Sequence, residues 1–430
     1  MFMTFRQNKT LLMLITLSPV FSVASPWIEA DDVLLRAHLQ ALVDGSLLSS
    51  SMNTYPMRWN MISRELDAID VNLLPSNLVL SYRFVKHYYD NQRVGRGSVA
   101  GKVIWNSDIR TSQGFGDSDA RYNWNSEAST EIVNQNSAFR LNVQYGREWK
   151  ASEDEYSWNG SYFTVGDGYL QFSVSQLDRW WGPGWSNSVT WSQSGTPLKT
   201  LSLGSIIEIE QQDLWLETNL SDIRSTAQAD YLWSSRLSTR WERLDVALTY
   251  QQGLDGEKAG SSSKNLVEFA KNDTRISVDG RMTLFPASSL PALYASYAWN
   301  QIESQKGSAQ LWGVDWQRQM NNIFVSLYIE RFKSHHGKLN IISSDYLNSV
   351  VVSQADNWSF GMTSYLANDD LIRFTARHFD SVLARTEKTK SLHLSYTTVL
   401  ASSKITFGLG YEDGLKRREP TLSLSWQYRL

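Results

Sequence analysis

The sequence contains no cysteine among its 430 residues. This absence excludes a disulfide framework, a thiolate metal site, a cysteine nucleophile and a lipid-modified cysteine. The charges nearly cancel as well, because 41 Lys and Arg stand against 44 Asp and Glu. We therefore expect no nucleic-acid partner, since such a partner is held by a strongly basic surface. After residue 24, no apolar run approaches the roughly 20 residues that a membrane-spanning helix needs.

Aromatic residues, by contrast, are abundant, with 18 Trp, 19 Tyr and 16 Phe. A chain that is rich in aromatics and free of spanning helices has the composition of an outer-membrane β-barrel. Such barrels place rings of aromatic side chains at both membrane interfaces. The composition therefore favours this class over a helical membrane protein.

The first residues have the pattern of an export signal. Arg6 and Lys9 precede a short apolar stretch, which is followed by small residues ending in Ala24. A positive start, an apolar core and a small-residue cleavage site are typical of a secretory signal peptide. We predict that residues 1–24 are this signal peptide and that the mature chain is exported to the outer membrane.

Two amphipathic segments follow. In residues 31–45, Leu35, Leu39 and Leu42 lie on one helical face, with an aspartate before the segment and Gly45 after it. Both ends therefore carry helix signals. Residues 59–69 form a second such segment. Neither helix can bury its apolar face alone, so we predict a small α-helical periplasmic portion over residues 25–76 that caps the barrel.

The hydrophobic period changes to two after this portion. Arg275, Ser277 and Asp279 alternate with Ile276 and Val278, and other segments have the same pattern. Successive side chains of a strand point to opposite faces, so each strand has one apolar and one polar face. We predict that residues 77–430 form the transmembrane β-barrel.

The last strand carries an unbroken apolar face that runs to the final residue. Leu422, Leu424, Trp426 and Tyr428 lead to Leu430 on that face, and aromatic residues recur at other strand ends. At about 20 residues per strand and connection, the barrel region accommodates about 18 strands, an even number as the class requires. The predicted fold is a closed antiparallel outer-membrane β-barrel of about 18 strands, with the helical portion at its N-terminus. Leu430 occupies a place where an aromatic residue is usual.

Motifs of catalysis are missing. The sequence has no phosphate-binding loop, no HExxH and no GxSxG. We therefore predict a protein that is not an enzyme and that uses neither a cofactor nor a metal. One alternative stays open, because His393 lies between Ser391 and Ser395 on the inward face and could serve a hydrolase.

One cluster of residues is unusual. The string DRWWGPG occupies residues 178–184 and is followed by two further tryptophans. Flat indoles beside charged groups can bind a sugar, since pyranose C–H faces lie on the rings while the charges bond the hydroxyls. The alternative is interfacial anchoring and a tight turn, with Arg179 paired to Asp178. The predicted carbohydrate-binding residues are Asp178, Arg179, Trp180, Trp181, Trp185 and Trp191.

These strings resemble a known family. DRWWGPG, the later Gly-Thr-Pro-Leu at residues 195–198 and the early Tyr-Pro-Met-Arg-Trp at residues 55–59 are similar to the Wzi-like capsule assembly family of Gram-negative outer membranes. The resemblance covers most of the chain from about Pro26. It implies an outer-membrane β-barrel with a helical periplasmic portion. It also implies a lectin-like role without catalysis.

Two functions follow from this interpretation. The first is a glycan-binding protein that anchors capsular polysaccharide or exopolysaccharide to the cell surface and helps to assemble it. Its partners would be that polysaccharide, outer-membrane lipid and polysaccharide export machinery. The second is a porin or solute channel of the same architecture, which an open conducting lumen would favour.

The barrel prediction has a direct test. Backbone hydrogen bonds that are satisfied only by closure should resist mild detergent. We expect an unboiled sample to migrate differently from a boiled sample on a gel. Identical migration, together with recovery in the soluble periplasmic fraction, would contradict a barrel.

Overall fold

The computed structural model describes most of the chain. The signal peptide predicted for residues 1–24 lies outside the described ranges, which are residues 26–92, 98–107, 114–148, 153–193, 195–209, 212–224, 229–255, 271–284, 291–302, 305–336, 355–381, 388–414 and 417–429.

Eighteen antiparallel strands close a single barrel, which confirms the predicted fold class. Strand β4 consists of two short pieces that both pair with β3, and the barrel closes where β18 pairs with β1. The strands are β1 (Ser98–Asn106), β2 (Tyr122–Val133), β3 (Ser137–Glu148), β4 (Glu155–Ser157 and Tyr162–Gly166), β5 (Leu170–Ser175), β6 (Thr200–Ile209), β7 (Gln212–Asp222), β8 (Tyr231–Trp241), β9 (Leu244–Leu254), β10 (Thr274–Thr283), β11 (Ala292–Ile302), β12 (Gln305–Met320), β13 (Ile323–His336), β14 (Ala355–Tyr365), β15 (Leu371–Ser381), β16 (Lys388–Leu400), β17 (Ser403–Gly414) and β18 (Arg417–Arg429).

The two faces of the wall differ as the alternation predicts. On β10, Ile276 and Val278 are exposed on the outside, while Arg275, Ser277 and Asp279 are buried on the inside. The same outward exposure of apolar side chains recurs around the barrel. In a membrane, this outer surface faces lipid rather than water, so the apolar side chains lie in the environment that they favour.

The two ends of the barrel differ in their connections. One end carries short turns, among them residues 242–243, 321–322 and 401–402, and the other carries long connections such as residues 107–121 and 176–199. Outer-membrane barrels place their short turns in the periplasm and their long loops outside the cell. By this rule β1 starts at the periplasmic end and runs outward.

The first helix lies inside the barrel. Helix α1 (Val33–Asp44) is buried along its length up to Val43, and its apolar residues form one core with inward-facing side chains of β6, β7 and β11–β13. Asp32 caps its first turn by accepting a bond from the backbone N–H of Leu35 at 2.8 Å. At its other end, Arg281 donates to both carboxylate oxygens of Asp44 at 2.7 and 2.8 Å. Helix α1 therefore packs inside the lumen rather than on the rim of the barrel. The assignment of residues 25–76 to a periplasmic portion stays a prediction.

The boundary between helices and barrel also needs correction. Helix α2 (Ser63–Ala68) is followed by helix α3 (Ser76–Asn91), and the first barrel strand begins at Ser98 rather than at residue 77. The buried side chains of α3, Leu78, Ser81, Val85 and Tyr89, are spaced by three or four residues. This is the spacing of a helix and not of a strand. Within the described part of the chain, no helix is long and apolar enough to span a membrane.

Two long connections also turn into the lumen. Phe115, in the connection between β1 and β2, belongs to the same core as α1, and so do Trp180 and Trp185, in the connection between β5 and β6. The backbone N–H of Phe115 donates to the carbonyl oxygen of Trp185 at 2.8 Å. Helix α1 and these two connections together fill the lumen, and we call them the plug.

The position of α1 predicts the effect of removing it. Deleting residues 31–70 should leave the ladder of the 18 strands intact, because none of its bonds comes from this segment. We expect an inserted barrel with ion conductance in a planar bilayer, since part of the plug is gone. Heat-dependent migration on a gel is the control for a folded barrel. Unchanged conductance in a folded variant would show that α1 does not seal the lumen.

Candidate functional site

The six residues predicted to bind carbohydrate belong to the inward connection between β5 and β6. Trp180 and Trp181 form a two-residue strand that pairs with Tyr55 and Thr54. The strings DRWWGPG and Tyr-Pro-Met-Arg-Trp, 120 or so residues apart in the chain, therefore meet inside the barrel. The third string is linked to the first through Arg121. This guanidinium donates to the carbonyl oxygen of Gly195 at 2.6 Å and to the carboxylate of Asp178 in DRWWGPG at 2.7 Å.

The charged pair of the string has partners elsewhere. Asp178 accepts two bonds from the guanidinium of Arg121, at 2.8 and 2.7 Å. Arg179 is buried, donates to the hydroxyl of Ser202 at 2.7 Å and lies 3.4 Å from Glu217. The suggested pairing of Arg179 with Asp178 was wrong, because adjacent residues of an extended segment point in opposite directions. Each charge instead ties the connection to a different part of the protein.

The four tryptophans are packed on all sides. The exposed fraction of the side chains is 0% for Trp180 and Trp181 and 2% for Trp185 and Trp191. The ring of Trp180 meets Phe115 edge to face, and its indole N–H donates to the carbonyl oxygen of Gly184 at 2.9 Å. The ring of Trp181 lies against that of Trp191, with 5.2 Å between the centroids.

Trp185 connects three parts of the protein. Its ring stacks on Tyr328 at an interplanar angle of 7°, and its indole N–H donates to Asp315 at 3.0 Å. The guanidinium of Arg36, on α1, lies 4.2 Å from the centroid of the same ring and donates to the carbonyl oxygen of Pro183 at 2.8 Å. Burial lowers the pKa of Arg36 from its ordinary value. The π face of Trp185 and the carbonyl of Pro183 therefore compensate a cation that has lost its water.

Glycines make the turn after Trp181 possible. Gly182 has a φ of +133°, which a residue with a Cβ rarely adopts. A Cβ on Gly184 would lie 2.2 Å from the backbone oxygen of Asn187. The Gly-Pro-Gly sequence is therefore required by the sharp turn that aims Trp185 at the wall.

These positions change the interpretation of the cluster. The expectation that the indoles offer faces to a sugar was wrong for the described geometry, because protein covers both sides of the rings. The alternative of anchoring at the membrane interface does not describe the rings either, since they lie in the lumen. A binding role for the six residues stays a prediction.

A cavity of about 190 Å³ lies next to this cluster, on the side of β1 to β4. Of the six predicted residues, only Asp178 lines it. Other lining residues include Trp27, Asp31 and Asn142, which the sequence analysis missed. Trp27 and Asp31 follow the predicted cleavage site directly, and no local pattern distinguishes them.

Asp31 lines this cavity and is exposed to it, although the cavity itself lies inside the barrel. Its pKa is raised to about 7, chiefly because the surrounding protein disfavours the charged form and also because Glu29 and Asp32 repel a further negative charge. Lys102 and Arg140 oppose the shift. Among the described residues, no group of three or more acidic or histidine side chains is placed to hold a metal ion.

Comparison with known proteins relates this geometry to other barrels. The chain is similar in structure to Wzi of Escherichia coli, with a TM-score of 0.77 at 14% identity over 94% of this chain and 98% of Wzi. Wzi is described as an outer-membrane protein involved in group 1 capsule assembly and as a carbohydrate-binding β-barrel. The chain is also similar to OpdK of Pseudomonas aeruginosa, with a TM-score of 0.50 at 6% identity over 78% of this chain and 99% of OpdK. No protein-family model and no curated protein sequence matches the chain. The resemblance predicted from the three strings is confirmed at the level of the fold.

The contacts of Trp185 predict a structural effect. Trp185→Ala should remove one of the rings beside Arg36, leaving Phe115 at 4.4 Å. It should also remove one of the donors to Asp315, which keeps Arg281. The substitution creates a cavity as well. Truncating a buried Trp costs about 3–5 kcal/mol of the free energy of unfolding. We therefore expect the gel band of the folded barrel to disappear at a lower heating temperature than in the unchanged protein. Trp241→Ala is the matched control, because that ring is 65% exposed on the outer surface. Equal effects of the two substitutions would contradict the anchoring role of Trp185.

Proposed function

We propose that this chain, which has the fold of Wzi, is a carbohydrate-binding protein of the outer membrane. In this proposal it holds capsular polysaccharide or exopolysaccharide at the cell surface and takes part in its assembly, without catalysis. The proposal draws on the fold shared with a barrel that is described as binding carbohydrate. It also draws on the meeting of the three strings at one place in the lumen.

The filled lumen is the observation that carries the choice between the two predicted functions. Buried ion pairs inside the barrel join its strands, among them Arg236 of β8 with Asp279 of β10 at 2.6 Å and Arg281 of β10 with Asp315 of β12 at 2.8 Å. Arg236 also donates to the hydroxyl of Thr54 at 2.7 Å. A porin or solute channel needs a continuous water path, and the plug lies across that path. The filled lumen therefore favours a protein that binds over one that conducts.

The remaining partners follow from the architecture. The exposed apolar side chains of the outer wall fit outer-membrane lipid. We also propose polysaccharide export machinery as a partner, because material that is anchored at the surface must first be delivered there.

The decisive experiment compares polysaccharide on cells with polysaccharide in the medium. A strain that lacks this chain should shed polysaccharide that the complemented strain retains. Because binding rather than conduction is proposed, purified protein should add no ion conductance to a planar bilayer. Unchanged retention in the deletion strain would reject the anchoring function, and robust conductance would favour the channel.

The same assay examines the predicted site residues. A binding role for the cluster predicts that Trp180→Ala or Trp181→Ala weakens binding by roughly 1–3 kcal/mol and that Arg179→Ala weakens it through lost charge-assisted bonds. The packing of these side chains against protein predicts a lower protein level with normal binding instead. Surface abundance must be measured on the same cells. Retention that falls only in proportion to protein level would reject a binding role for the cluster and leave it a structural role.

A further inference from the structure

We propose that Arg373 and Arg377 of β15 close the lumen on the side where the plug does not pack tightly against the barrel wall. This inference goes beyond the proposed function, because it concerns permeability and not the binding of carbohydrate. A barrel of 18 strands is wide enough to conduct ions unless its lumen is closed.

The plug packs tightly against one part of the wall. Its apolar core includes inward-facing side chains of β6, β7 and β11–β13, such as Trp215, Leu311 and Phe332. On the strands between them, Ser234 of β8 and Ser277 of β10 are 0% exposed. A serine side chain is short, so on this part of the wall even short side chains are covered.

The inner wall from β15 to β18 is covered less completely. Ser395, at mid-height of β16, and Ser423, at mid-height of β18, point into the lumen and are partly exposed. Inward-facing residues at this height can be exposed only to space inside the barrel. Residues with a short side chain or none line this space, namely Ser391, Ser395, Gly408, Gly410, Ser423 and Ser425. A hydrated cleft therefore separates the plug from this part of the wall.

Two arginines of β15 cross the cleft. The guanidinium of Arg373 donates to the carboxylate of Asp117 at 2.6 Å and to the carbonyl oxygen of Phe115 at 3.2 Å. The guanidinium of Arg377 donates to the carbonyl oxygen of Ser186 at 3.3 Å. All of these acceptors belong to the two inward connections of the plug. The arginines therefore join the wall to the plug across the hydrated space.

The neighbouring strand shows how local these contacts are. In the register of β15 with β16, Ser395 lies opposite Arg373. Ser391 lies opposite Arg377 in the same register. The two arginines are four residues apart on one face of β15, which corresponds to about 13 Å along an extended strand. They therefore cross the cleft at two successive heights, beside serines that have much shorter side chains.

Water reaches the second of these contacts. The Nε of Arg377 is buried and has no hydrogen-bond partner among the residues that the structure describes. A buried donor of this kind requires an ordered water molecule, and Ser391 beside it is partly exposed. Without the two arginine side chains, the water on both sides of the contacts would join into one path.

The test measures ion current through the purified full-length protein in a planar bilayer. The unchanged protein should give no current steps. Arg373→Ala combined with Arg377→Ala should give steps, because both contacts across the cleft are lost while α1 and the apolar core stay in place. Heat-dependent migration on a gel verifies that the variant barrel is folded. A folded double variant without current would overturn the proposal, and so would equal current steps from the unchanged protein.

A matched control separates closure of the cleft from general loosening. Gln251 is a polar, inward-facing residue of β9 with an exposed fraction of 0%, and it lies on the tightly packed part of the wall. Gln251→Ala should therefore give no current. Current from this control as large as that of the double arginine variant would overturn the assignment of closure to β15.

An exchange of charges tests the contact itself. In the Arg377→Ala background, Arg373→Asp places a carboxylate opposite Asp117, and we expect current because the two carboxylates repel each other. Adding Asp117→Arg restores an ion pair with its ends exchanged and should abolish that current. If the folded protein with the exchanged pair conducts as strongly as the protein with Arg373→Asp, the contact across the cleft does not close the lumen.

Discussion

The carboxylate of Glu330 fixes the plug to the barrel wall. It is fully buried on β13 and accepts bonds from the backbone N–H groups of Trp185 and Ser186, at 2.8 and 3.0 Å. The side chains of Asn187 and Tyr294 donate to it as well, at 2.7 and 3.0 Å. A buried charge is tolerated only when its lone pairs are satisfied. The turn of the Gly-Pro-Gly sequence supplies two of these donors, so the position of the plug and the charge of Glu330 depend on each other.

The ion pairs around this contact specify position more than they add stability. Removing charges from water costs several kcal/mol per ion, and mutual attraction returns this cost only with good geometry. Arg281, which bonds Asp44 of α1 and Asp315 of β12, meets that condition with bonds of 2.7 to 2.8 Å. Loss of one partner would leave the others charged and buried. A shifted position of α1 would therefore be higher in free energy than the observed one, because it would leave buried charges unpaired.

The sequence revealed the wall of the barrel better than its contents. The alternation in Arg275, Ile276 and Ser277 is local, because neighbouring residues face water-poor interior and lipid in turn. The plug depends on contacts over long separations, such as Trp185 with Glu330, 145 residues apart, and no periodic pattern reports these. Tryptophans that suit a sugar also suit a packed core, so composition did not distinguish the two. Helix α3 was missed because Leu78 and Leu80 fit an alternating pattern as well as a helical one.

The broken strand β4 makes the barrel unequal around its circumference. It pairs with β5 over five positions, whereas β12 pairs with β13 over fourteen. Fewer ladder hydrogen bonds therefore hold the flank of the wall at β4 than the opposite flank at β12 and β13. Local opening needs least free energy where the fewest bonds must break. We expect the amide hydrogens of β4 to exchange with solvent before those of β12 and β13.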